Sequence, residues 1–400
     1  MSQPGHSVKM RIVQAVEERA PVWRELALRI HANPEVGCHE VCASAWLAEA
    51  LEAAGFEVTR GAGMPTAFLA KKETADEAPV IGFCAEYDAL PGLGHACGHN
   101  LIGAAACLAA DGLARSVPCR VRVVGCPAEE GFGGKVELLK RGVFDGIEFA
   151  MMCHGGPRNL PSREMMGRIG FTFSFRGQGS LAVSAPDRGL NALDAAVLTY
   201  QAVGLLRQQV RDRCRIQAII PKGGETLGRI PEFAQVQVAV RCRDMDYLAE
   251  LGRRVVDCAK GAARAAGVRL SVRRPFHPML PMRRNLPLEE AYANNLRFIG
   301  IEPQEWPADA PIGSTDFGNV SQVVPGIHAY FAMVPEGIDH HTPEYTEASR
   351  SEAGLQGMVS AATAMALTGY DLTVDGDLRA RVKEWFLREG ERDRERKEGT

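Results

Sequence analysis

The residues able to do chemistry fall in four short stretches. Gly94-His95-Ala96-Cys97-Gly98-His99-Asn100 offers a thiol and an imidazole two positions apart at a loop-to-helix junction. Pro127-Ala128-Glu129-Glu130-Gly131 closes one apolar run, Cys153-His154-Gly155-Gly156 closes another, and His340-His341-Thr342-Pro343 follows near the end. Thiolate, imidazole and carboxylate together are the ligand types of divalent transition metals. In an extended segment residues i and i+2 point the same way, so Cys97 and His99 are expected to converge, with Gly98 allowing a tight turn. A zinc ribbon needs paired cysteines at short spacing and Cys97 has no cysteine within four residues, so further ligands are expected from other strand ends. Two adjacent carboxylates behind an apolar strand are costly unless a cation holds them. On that reading one of Glu129 and Glu130 binds metal, and the other serves as general base toward water whose pKa the metal lowers from ~16 toward ~7. The competing reading is a helix N-terminus, where the macrodipole favours glutamate. His154 and His341, taken singly, also read as polar loop residues.

Strands and helices must bring these stretches together. Residues 8–30 carry Ile12, Val16, Trp23, Leu26 and Ile30 on one helical face, and Pro34 ends the helix because the residue before proline avoids the α region. A second helix over 43–54 stops at Gly55. Residues 80–84, 121–126 and 149–152 are short continuous apolar runs, hence buried strands. An alanine-rich helix over 101–113 and another over 136–141 separate them, which predicts βαβ units and a mostly parallel sheet. Open sheets of this kind place their chemistry beyond the strand carboxyl ends. From Gly167 the pattern changes. Residues 169–175 and 236–240 alternate at period two, with helices over 192–208 and 248–266, a self-contained α+β unit. The α/β pattern then resumes with helices over 288–299 and 355–367. The expected organisation is a catalytic domain in two parts, 1–167 and 281–376, an inserted α+β domain over 168–280, and a charged tail over 377–400 forming a surface helix that frays.

Four hundred residues suit two domains, and 46% apolar with 24% charged residues is ordinary for a soluble protein. The net charge of -3 implies neither a nucleic-acid nor an anionic-membrane surface. No window approaches the ~18 apolar residues needed to cross a bilayer. The polar opening residues 1–9 and the lack of a leader pattern suggest a reducing cytoplasm, in which Cys84, Cys107, Cys126, Cys242 and Cys258 are expected to be free core thiols.

Taken in order, Glu86-Tyr87-Asp88-Ala89-Leu90-Pro91, the 94–100 stretch and Pro127-Ala128-Glu129-Glu130 resemble the metallopeptidase and amidohydrolase family of aminoacylases, aminobenzoyl-glutamate hydrolases and indole-acetyl-amino-acid hydrolases. The likeness is closest to the aminobenzoyl-glutamate and β-alanyl-dipeptide branch. It extends to His31-Ala32-Asn33-Pro34-Glu35, Gly189 to Ala195, Gly313 to Ser321 and His341-Thr342-Pro343-Glu344-Tyr345. The resemblance implies two divalent metal ions, with Cys97 as bridging thiolate and His99, Glu130, His154 and His341 completing the ligands. Cysteine in the bridge favours zinc or manganese over magnesium, with cobalt and nickel compatible. Glu129 becomes the general base, Asp88 orients an imidazole ligand, and His340 is set aside because the family histidine directly precedes the Thr-Pro dipeptide. The family also implies amide cleavage of a small N-acyl amino acid, aminoacyl-aromatic or dipeptide substrate. A homodimer formed through the inserted domain is implied too, with the strand over 169–175 as a pairing edge.

Three inserted-domain positions depart from or keep the family pattern. Leu181 stands where an oxyanion-holding histidine belongs and Gly228 where an asparagine belongs, while Arg243 matches the arginine that grips a substrate carboxylate. One lost oxyanion donor costs on the order of 3 kcal/mol. Either Ser180, Arg229 or His328 compensates, or the charge develops elsewhere, as in hydrolytic removal of an amino group from a nitroaromatic acid. Asp316, in the Gly313 to Ser321 stretch, and Ser180 are expected beside Arg243 as substrate contacts. A third reading is a binding relative without turnover, which the intact base and ligand set argue against.

Overall fold

The structure, a computed structural model, describes residues 3–307, 310 and 312–398. In chain order its elements begin with helices α1 (Gln3–Ala32) and α2 (Val41–Ala53), then strands β1 (Glu57–Arg60), β2 (Phe68–Glu73) and β3 (Val80–Glu86). Next come α3 (His99–Ser116), β4 (Arg120–Cys126), α4 (Gly134–Lys140), β5 (Phe149–Gly156), β6 (Gly167–Arg176), α5 (Ala192–Leu206), β7 (Arg215–Lys222) and β8 (Phe233–Cys242). The chain continues through α6 (Met245–Ala265), β9 (Arg269–Arg273), α7 (Leu286–Phe298), α8 (Phe317–Val323), β10 (Gly326–Ala332), α9 (Pro343–Ala348), α10 (Glu352–Val374) and α11 (Gly376–Glu398). It divides into two compact units, Met1–Glu164 with Met282–Pro311 and Asn319–Thr400, and Met165–Pro281 with Ile312–Gly318.

The first unit is built on a six-stranded sheet in the order β1-β2-β4-β3-β5-β10. The four strands β4, β3, β5 and β10 are mutually parallel, and β1 and β2 add an antiparallel edge. Every residue of β3 is buried, as a strand covered on both faces requires. Helices α3 and α4 make the crossovers between β3, β4 and β5. α3 seats close to the sheet because Gly103 has no side chain: a Cβ there would lie 2.5 Å from the Glu86 carbonyl oxygen at the end of β3. One core joins Trp23 of α1, Leu108 of α3, Phe83 of β3 and Met365 of α10. α11 covers most of the charged C-terminal stretch. Its first half docks through Leu378 and Val382, both buried, and Asn285 donates to the Val382 carbonyl at 2.9 Å. Residues 399 and 400 of that tail lie outside the described residues.

The second unit is a four-stranded antiparallel sheet, β7-β8-β6-β9, packed against α5 and α6. Alternate residues Ile169, Phe171, Phe173 and Phe175 of β6 enter its core, as period-two patterning demands. Two expectations are corrected here. β6 is an interior strand, flanked by β8 and β9, so the edges are β7 and β9. Cys242 is not a free thiol, because it is joined to Cys214 in a disulfide; Cys84, Cys107, Cys126 and Cys258 take part in no disulfide. Among the described residues no helix is long and apolar enough to cross a membrane.

Candidate metal centre

The ligand-type residues meet in the first unit, past the carboxyl ends of β3, β4 and β5. Gly98 takes a left-handed conformation (φ 76°) as the cap of α3, so His99 is the first residue of that helix. Cys97 and His99 therefore converge across a helix start and not along an extended segment. Asp88, just beyond β3, is buried and serves two neighbours. Its Oδ1 accepts from His99 Nδ1 at 2.8 Å and its Oδ2 from the Glu130 backbone N–H at 2.9 Å. The first bond fixes the tautomer that leaves His99 Nε2 as the open nitrogen.

Glu129 and Glu130 occupy the turn between β4 and α4. That turn holds Ala128 at φ 56°, a conformation uncommon for a residue with a side chain. Glu40, fully buried at the start of α2, secures it by accepting the Ala128 N–H at 2.7 Å, while Thr66 donates to its other oxygen at 2.8 Å. Burial and the nearby charge of Asp88 raise the Glu40 pKa.

Cys97 belongs to two groups of donor atoms, Cys97–His99–Glu130 and Cys97–His154–His340, each lying within 4.8 Å. Its Sγ is 3.4 Å from His154 Nε2 and 3.8 Å from His340 Nδ1. His154 Nδ1 donates to the Gly155 carbonyl at 2.8 Å, which turns the acceptor nitrogen toward Cys97. His341, at φ 64°, places Nε2 3.1 Å from Glu130 Oε1. The sequence-derived residues Asp88, Cys97, His99, Glu130, His154 and His341 thus come together, and His340, which the Thr-Pro spacing excludes, joins them. Sequence reasoning also missed Glu86, whose Oε2 lies 3.4 Å from His99 Nε2 and whose other oxygen pairs with the buried Lys135. Glu129 is nearly buried, with a carboxylate oxygen within 4.8 Å of one from Glu86.

Without a cation the electrostatics are discordant. Burial and the Glu130 charge push the Cys97 thiol well up, and burial with neighbouring imidazoles drives His154 well down. Burial alone would raise Glu130, yet its bond to His341 and the charge of His99 hold it at about 2. Divalent ions reverse this logic, since they deprotonate a coordinating thiol and neutralise clustered carboxylates. The open His99 Nε2, buried with no hydrogen-bond partner, and the mixed S, N and O donor set fit such ions.

The model of peptidase family M20/M25/M40 matches residues 82–364, most of the chain and all of these residues but Glu40 and Thr66. The chain belongs to this family.

Similarity to known M20 and related proteins extends over nearly the whole length. A human Xaa-Arg dipeptidase is 37% identical over 95% of this chain and 92% of its own. One of the subunits of the Escherichia coli p-aminobenzoyl-glutamate hydrolase is 27% identical over 92% of each. Among solved structures, the aminobenzoyl-glutamate utilization protein of Klebsiella pneumoniae superposes with a TM-score of 0.73 at 17% identity, covering 91% of this chain and 99% of that one. A dinuclear metal-binding M20 peptidase from Bacillus subtilis gives 0.63 at 19% identity, covering 88% and 98%, and shares the fold. This M20 member is accordingly a hydrolase acting on amide bonds, and membership of the family implies divalent metal ions.

In its second unit Leu181 is 63% exposed and pairs with Arg229 in an isolated bridge that brings Gly228 alongside. Ser180 commits its single proton to the Ala185 carbonyl at 2.5 Å, and Arg229 reaches Glu232 at 3.2 Å. His328 lies buried on β10 in the first unit. Arg243 follows β8, and Asp316 is fully buried just ahead of α8.

Proposed function

We propose that the chain is a dinuclear amidohydrolase that cleaves a small dipeptide or N-acyl amino acid bearing a free carboxylate. The observation that carries this reading is Cys97, common to two donor groups, beside an Asp88 that braces both His99 and the Glu129-Glu130 turn. Cys97, His99, Glu130, His154 and His341 would hold two divalent ions, zinc or manganese first, with cobalt and nickel compatible. His340 is a further donor in reach. Bound there, the ions supply Lewis acidity toward a carbonyl and acidify water.

The chain's own groups do the rest. Glu129 takes the proton of the attacking water on its carboxylate and returns it to the leaving nitrogen. Asp88 keeps the His99 ring in one orientation. Arg243 and Asp316 are proposed substrate contacts, and Ser180 shapes its loop through Ala185. The relatives named for dipeptide and aminobenzoyl-glutamate hydrolysis support amide cleavage over loss of an aromatic amino group. We further propose a homodimer through the second unit, whose unpaired edges are β7 and β9, acting on small molecules and not on nucleic acid or membrane.

The test is a panel of dipeptides and N-acyl amino acids with metal-loaded protein, reading free amino acids and ammonia separately. Wild type should release amino acid, EDTA followed by dialysis should abolish it, and Glu129→Gln should lower kcat by roughly 10²- to 10⁴-fold with metal content unchanged. Ammonia without amino acid, or full activity of Glu129→Gln, would defeat the reading.

A further inference from the structure

The first unit has three buried cationic side chains among its described residues, and they are not treated alike. Lys9 pairs with Asp371 at 2.7 Å and Lys135 pairs with Glu86, but Arg163, only 8% exposed, has no carboxylate partner among the described residues. Its Nε is fully buried with no acceptor. A desolvated cation without counter-charge is costly, and the cost is removed when an anion binds.

The guanidinium is nevertheless held firmly. Beyond β5 the chain runs antiparallel along the outer edge of β10: Leu160 and Tyr330 exchange backbone hydrogen bonds at 3.0 and 2.8 Å, and Asn159 Oδ1 accepts the Ala332 N–H at 3.0 Å. This stitching carries Arg163 to a place where its Cζ lies 4.2 Å from the ring centres of both Trp306 and Tyr330. Two aromatic faces fix the plane of the cation; one of its donors is shared with the Tyr330 hydroxyl, and its Nε is left without an acceptor for a ligand to supply. The clamp adjoins the metal centre, since the Tyr330 ring is 5.7 Å from that of His154 and 4.9 Å from that of His328.

We propose that Arg163, clamped by Trp306 and Tyr330, is the residue of the catalytic unit that receives the substrate's carboxylate. The inference rests on the amidohydrolase reading, whose substrates carry a carboxylate near the scissile nitrogen. A planar guanidinium meets a carboxylate through two parallel hydrogen bonds, which gives orientation as well as affinity.

The experiment compares Ala-Arg, N-acetyl-methionine and p-aminobenzoyl-glutamate, each beside its α-amide, on metal-loaded wild type, Arg163→Met and Arg163→Lys. Calorimetric binding of the same compounds to Glu129→Gln and Glu129→Gln/Arg163→Met proteins is measured in parallel. Arg163→Met should raise KM and lower the acid-over-amide ratio of kcat/KM by roughly a hundredfold. Arg163→Lys should recover part of that ratio, and the calorimetric affinity for the acids should fall in step. An unchanged ratio, or an equal loss for acids and amides together with a lowered melting temperature, overturns the proposal and makes Arg163 a packing element. Failure of wild type to cleave any compound defeats the amidohydrolase reading instead; the binding comparison still decides Arg163, with equal acid binding by both proteins, including no binding by either, counting against it.

Discussion

At the scale of single residues, Asp88 is the most economical part of the centre, because its two oxygens serve an imidazole and the backbone of a catalytic turn. Asp88→Asn keeps the shape but can satisfy only one of those N–H groups with its remaining oxygen. Metal affinity should fall about 10- to 100-fold, measured by competition with a chromogenic chelator, with little change in the far-ultraviolet circular dichroism. Undiminished affinity would show that Asp88 does not orient a ligand. His340 illustrates the limit of spacing arguments at this scale. Two adjacent histidines are equivalent in a string of letters, and only the left-handed backbone at His341 turns one toward Glu130 and its neighbour toward Cys97.

At the scale of elements, the approach of α3 to β3 sets the distance between the helix start that carries His99 and the strand end that leads to Asp88. Gly103→Ala places a methyl group against the Glu86 carbonyl, so the helix must shift. A loss of about 1 to 3 kcal/mol in stability is expected, read as a lowered denaturation midpoint, together with weaker metal retention. A midpoint equal to wild type would mean that the helix is free to move. The elements β3, β4, β5 and α3 were legible because continuous apolar runs and an alanine-rich face leave little ambiguity of period. β1, with its pattern Glu-Val-Thr-Arg, and β9, with Arg-Leu-Ser-Val-Arg, are short and mostly exposed edge strands whose existence depends on neighbours distant in sequence. β6 read correctly as a strand but wrongly as an edge, since alternation reports which face is buried and says nothing about what pairs on either side. Likewise Glu86, Lys135 and Arg163 carry no local signal; their partners are fixed only when strands and loops are assembled.

At the scale of the whole molecule, several buried thiols tie stability to alkaline pH. Burial raises Cys119 to about 12 and Cys107 well above the usual thiol range. Both stay protonated in the folded chain, whereas in the unfolded chain they ionise near pH 9, so the unfolded state binds fewer protons above that pH. Their stabilising contribution is therefore complete below about pH 9 and declines as pH rises toward about 12. The denaturation midpoint should drop between pH 9 and 11, and less steeply in Cys107→Ala/Cys119→Ala, whatever its lower starting value. Equal slopes would exclude the thiols as the cause. The carboxylate of Glu40 has a consequence of another kind. It joins Thr66 and Ala128, 26 and 88 residues away in the chain, and contacts none of the metal-ligand side chains in the hydrogen bonds described. Inherited changes at positions 40, 66 and 128 should accordingly be tolerated in combination more readily than singly. A harmful one would leave a folded, metal-loaded protein that turns over slowly, a lesion that a survey of ligand positions alone would overlook.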